Sequence, residues 1–125
     1  MQDEPTPTEL TKAVADFLRN DIAPMISGHN AFKLRVAINA LDLVMRQLAQ
    51  EEGSDAAEAD RLANMLGMRG PLLEQNRALA EKIANGEVDL ATPGLSEHLW
   101  QTTMAKLAVD QPNYASYKRE KSQDG

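Results

Sequence analysis

The chain has 125 residues and a mass of 13.7 kDa, the size of one domain. Thirteen Lys and Arg against nineteen Asp and Glu leave a net charge of −6 and a pI near 4.8. No basic stripe offsets that field, which argues against a nucleic-acid partner. Cysteine is absent, so disulfides, thiolate metal sites and thiol nucleophiles are excluded, and the composition fits a reducing cytoplasm. The N-terminus has no basic stretch followed by an apolar one, and no apolar run approaches the roughly 18 residues of a membrane span. The expectation is a cytoplasmic protein with no membrane partner.

The apolar period is helical throughout, so the chain reads as all-α, a compact four-helix bundle with an additional short helix. Thr6-Pro7-Thr8-Glu9 carries a capping-box start, and Leu10, Val14, Phe17, Leu18, Ile22 and Met25 follow on one face. Pro24 ends or kinks this helix and Ser27-Gly28 turns the chain. The second helix spans about His29 to Glu51, with Gly53-Ser54 as its break. Asp55 and Glu58 then signal a short third helix, stopped by Gly67. Pro71 opens a fourth, with Gly86 as a left-handed cap after Ile83. Thr92-Pro93 opens a fifth, which Pro112 bounds. One helical domain over residues 1–118 is expected, with a frayed polar tail over 119–125.

Placing the helices on wheels puts several polar residues on inward arcs. Asp21 falls among Leu10, Val14, Phe17 and Leu18. Asn76 centres the Leu72, Leu79, Ile83 stripe. Lys106 lies beside Leu95 and Leu99, with Asp110 one turn on. The second helix has two apolar stripes, Leu34-Ile38-Leu41-Met45 and Phe32-Val36-Leu43, with Arg35, Asn39, Asp42 and Arg46 between them. A helix apolar on both flanks is expected to be central and its polar ladder partly buried. Buried charges must be paired. A hairpin through Ser27-Gly28 would set Asp21 against Arg35, while Asp42 with Arg46 and Lys106 with Asp110 have the four-residue spacing for contact. If these six charges pair internally, the net charge of −6 belongs to the outer surface.

No familiar reaction site emerges. Ile26 and Leu95 stand three residues before His29 and His98, where a di-iron bundle needs Glu. The acidic residues Glu51, Glu52, Asp55, Glu58 and Asp60 lack the ligand spacing of a calcium loop and read as a solvated junction. Gly67-Met68-Arg69-Gly70 reads as an interhelix turn, and His98 as a surface or boundary residue. No metal, cofactor or catalytic residue is expected.

The block Leu10 to Arg46, with Phe17-Leu18, Pro24 and Phe32-x-x-Arg35-Val36-Ala37-x-Asn39, resembles a family of small uncharacterised bacterial helical domains. So do Lys106 to Tyr114 and Asn76 with the Gly86, Asp89 turn, and the likeness runs from about residue 3 to 118. Members of that family stand beside, or fused to, kinases that resemble aminoglycoside phosphotransferases, often near acyl-CoA dehydrogenases. The resemblance implies an accessory role to such a phosphotransferase in acyl-CoA-related metabolism. The chain itself has no Gly-rich loop and no HxD pattern, and is too short for a kinase.

Three readings follow. The first is a non-catalytic domain that docks on the phosphotransferase-like protein through an apolar patch. The second is a pocket for an acyl, phosphate or CoA-like group lined by Arg35, Asn39, Asn76 and Lys106. The third is a homodimer that covers one flank of the second helix.

Overall fold

Thr6 starts the first helix as its residue type demands. In the computed structural model, which describes residues 4–124, its hydroxyl oxygen accepts from the Glu9 backbone N–H at 3.1 Å, and Pro7 takes the first helical turn. Helix α1 is Pro7–Phe17. Pro24 has no N–H to give, and its ring crowds the carbonyl four residues back. The chain accordingly widens into a π-helical segment, Leu18–Ile22, where the Ala23 N–H reaches the Leu18 carbonyl, and then tightens into a 3-10 turn, Ala23–Met25. Gly28, at φ 71°, makes the turn into the next helix.

That helix, α2, runs unbroken over His29–Leu66. The expected break at Gly53-Ser54 and the separate third helix are not formed. A helical Gly costs only about 1 kcal/mol relative to Ala, and Gly53 is flanked by the helix formers Glu51, Glu52, Ala56 and Ala57 with no proline nearby. Asp55 and Glu58 are therefore helix-interior residues. Helix α3 is Leu72–Ala84, after which Gly86 at φ 83° takes the left-handed position expected of it. Helix α4 is Leu95–Asp110, entered through Gly94 at φ 93°. Helix α5 is Ala115–Asp124, which takes in the described part of the polar tail, Gly125 lying outside the described residues. Tyr117 on α5 is buried, and the Lys121 ammonium lies 5.9 Å from its ring centroid, one helical turn on. The described residues contain five α-helices and no strand, in agreement with the all-α reading.

The chain divides into two compact units whose boundary falls within α2, at Glu51–Glu52. The first comprises α1, the π and 3-10 segments and α2 up to Glu51. Its buried residues are Ala15 and Ile38. The second comprises the rest of α2 with α3, α4 and α5. Leu62, Leu79, Val88 and Leu95 form its core, with Met65, Leu66 and Leu72 packed against it. Val88 reaches that core from the α3–α4 connection, which is shaped by its own side chains. Asn85 Oδ1 accepts from the Glu87 N–H, Asp89 Oδ1 from the Ala91 N–H, and Thr92 Oγ1 from the Asp89 N–H.

Candidate functional site

Polar groups gather along one edge of the first unit. The π-helical segment carries Arg19, whose guanidinium bridges two carboxylates, Asp16 at 3.2 Å and Asp42 of α2 at 2.5 Å. Lys12 also holds Asp16 at 2.5 Å, and that hydrogen bond keeps the Asp16 carboxyl below its usual pKa. Beside this set lies a cleft of about 320 Å³, lined by Arg19, Ala23 and Ile26 before the turn and by Ala31, Arg35, Ile38 and Asn39 of α2. Arg35 and Asn39, four residues apart, present a guanidinium and an amide on one face of α2. Ile38 is nearly sealed from solvent.

The inward polar set expected from the wheels is largely rearranged. Asp21, Arg35, Asn39, Lys106 and Asp110 are exposed, while Asp42, Arg46 and Asn76 are half-buried. Asp21 does not pair with Arg35; the cross-hairpin pair is Arg19 with Asp42. The π and 3-10 segments change both the rotation and the length of the connection, so a register counted through a plain α-helix does not hold. Lys106 and Asp110 form no ion pair with each other among the described residues, and the charges of Asp21, Arg35, Lys106 and Asp110 belong to the surface. The expected central position of α2 also gives way, since Phe32 and Val36 on its second stripe are 58% and 52% exposed. Of the four expected pocket residues, Arg35 and Asn39 line the cleft, and Asn76 and Lys106 do not.

On α3 the wheel is wrong by one position. Gln75, not Asn76, is the enclosed amide, 1% exposed. Its Nε2 donates to the Met68 carbonyl at 3.0 Å and the Ala59 carbonyl at 3.3 Å, and its Oε1 is buried without a partner. Asn76 instead donates to the Leu72 carbonyl at 3.1 Å and the Glu58 carboxylate at 3.5 Å. Gln75 stands three residues after Leu72 and four before Leu79, so its spacing alone put it on the same face, and its polarity hid that signal.

His98, expected at the surface or its boundary, is 3% exposed. Its Nδ1 accepts from Arg61 Nε at 3.2 Å, and the Arg61 guanidinium also donates to Thr102 Oγ1 at 3.3 Å. Burial, then the Arg61 charge, holds the His98 pKa below its usual value, against a smaller opposite effect of Glu58. Neutral His98 with an unprotonated Nδ1 is the form that this bond requires. Sequence reasoning missed the pair because its partners lie 37 residues apart.

Apolar groups form a second feature of the first unit. Leu10, Val14 and Phe17 are each about half exposed, and their spacing puts them on one face of α1. Val44 and Leu48 are exposed one turn apart on α2. Ala15 and Ile38 mark the inward directions of the two helices. On a wheel Arg19 and Asp42 lie to one side of those residues, and the five apolar residues lie to the other. Both sets of exposed apolar residues therefore face away from the buried residue of their own helix, while Arg19 and Asp42 meet.

A family model described as Domain of unknown function (DUF6285) matches residues 24–114, which is most of the chain. The chain belongs to that family. No curated protein and no solved structure matches it. The DUF6285 match begins at Pro24 and ends at Tyr114, so it takes in Arg35 and Asn39 and leaves out α1, Arg19 and α5. Among the described residues no group of His, Asp or Glu is arranged to hold a metal ion, and no helix is long and apolar enough to cross a membrane.

Proposed function

We propose that this DUF6285 chain is a non-catalytic interaction domain that docks, through exposed apolar residues of its first unit, on a phosphotransferase-like kinase of acyl-CoA-related metabolism in the cytoplasm. The observation that carries the reading is the exposure of Leu10, Val14, Phe17, Val44 and Leu48 on a helical hairpin whose buried residues are Ala15 and Ile38. The kind of partner rests on the resemblance to domains that stand beside or are fused to such kinases. No reaction is assigned to the chain: among the described residues the buried imidazole of His98 is held by Arg61 and not by a nucleophile.

Co-expression with the adjacent phosphotransferase-like protein tests the reading. The two should copurify at physiological salt, and Phe17→Asp should abolish the association while leaving the melting temperature of the free chain nearly unchanged, since Phe17 is exposed. Failure to associate at low and physiological salt would overturn it. A doubled mass of the isolated chain in light scattering, lost in Phe17→Asp, would assign these residues to a second copy instead.

A further inference from the structure

The charged edge of the first unit carries an inference independent of docking. Lys12 and Arg19 are matched by Asp16 and Asp42 through the three ion pairs that connect them. This set is electrically neutral. Arg35, on the wall of the adjoining cleft, makes no ion pair among the described residues, so the cleft has one uncompensated positive charge. A guanidinium presents a planar fork of N–H donors that fits a carboxylate through two parallel bonds. Asn39, one turn along α2, places an amide donor beside it. The rest of the lining is aliphatic except for Arg19: Ala23, Ile26, Ala31 and Ile38.

We propose that this cleft binds a small monocarboxylate with a short aliphatic tail, its carboxylate on Arg35 and Asn39 and its tail along Ile26 and Ile38. The volume of about 320 Å³ has room for about ten non-hydrogen atoms if each displaces on the order of a water's 30 Å³. A six-carbon acid fits, whereas a coenzyme A thioester does not. Phosphate suits the site poorly, because a dianion meets one unmatched cation and mostly hydrocarbon.

Titration of the full-length chain with hexanoate, followed by calorimetry or amide chemical shifts, tests the assignment. Saturable binding is expected with a Kd on the order of 1 mM or below. Arg35→Gln should weaken it by roughly tenfold or more without altering the circular dichroism, since Arg35 is exposed and unpaired. Acetate, which has no tail to bury, should bind roughly tenfold or more weakly than hexanoate, and this comparison needs no variant. Hexylamine should not bind. The proposal is overturned if hexanoate does not saturate the protein, if Arg35→Gln or shortening to acetate leaves the affinity unchanged, or if inorganic phosphate displaces hexanoate at equal concentration.

Discussion

Arg61 Nε donates to His98 Nδ1 at 3.2 Å, joining α2 to α4 within the second unit. The bond exists only while His98 is neutral, and burial and the Arg61 charge both disfavour its protonation. In the unfolded chain the imidazole regains its usual pKa of 6.5. Below that pH the unfolded state binds more protons than the folded one, so stability falls as pH drops from 6.5 toward the depressed folded value. A single group of this kind contributes a slope of at most about 1.4 kcal/mol per pH unit. Urea midpoints of the native chain should decline between pH 7 and about 5, and His98→Asn, which keeps an acceptor but no titrating nitrogen, should flatten the decline.

Gln75 is enclosed with two carbonyls on its amide nitrogen. Gln75→Leu keeps similar bulk and removes both donors, which leaves the Met68 carbonyl without that partner. A loss of about 1–3 kcal/mol in urea unfolding is expected. Asn76→Ala, at the position that sequence reasoning placed inside, should cost less, because Asn76 is half-buried.

Gly53 lies in the interior of α2, and a Cβ added there meets nothing within 4 Å. Gly53→Ala should therefore stabilise the protein by about 0.5–1 kcal/mol, through helix propensity and a less free unfolded chain. Chemical denaturation measures the change. Destabilisation by this substitution would show that α2 is broken there in solution.

Gly94 answers in the opposite direction. Its φ of 93° is in the left-handed region, and an added Cβ would lie 3.4 Å from Met65 Cγ. Gly94→Ala should cost at least about 1 kcal/mol from backbone strain, the Met65 contact being an ordinary van der Waals one. A melting temperature equal to that of the native chain would contradict the entry geometry of α4.

Salt should discriminate among the polar contacts. The Arg19 bridge to Asp16 and Asp42 is largely exposed, with side chains 28–43% accessible. Asp42→Asn should reduce stability by no more than about 1 kcal/mol at low salt, a difference that shrinks as salt rises. Paired melts at low and high ionic strength provide the measurement.

The sequence by itself determined the local features of this protein. Thr6 and Pro7 start α1, Pro24 ends regular α-helix, Gly28 turns the chain, and Gly86 follows α3, because each depends on groups within a few residues. Only the tertiary structure decided which face of each helix points inward. On α4 the wheel puts Lys106 between Leu95 and Leu99 and leaves His98 outside the arc of Leu95, Leu99, Trp100, Met104 and Leu107, yet His98 is the one buried. On α3 the choice between Gln75 and Asn76 turned on carbonyls of residues 59 and 68. The π-helical segment rotated Arg19, rather than Asp21, toward α2, and the Arg19 bridge to Asp16 and Asp42 stands where a pair of Asp21 with Arg35 was expected. Capping and propensity act over one turn of chain, whereas burial and ion pairing depend on groups that only folding brings together.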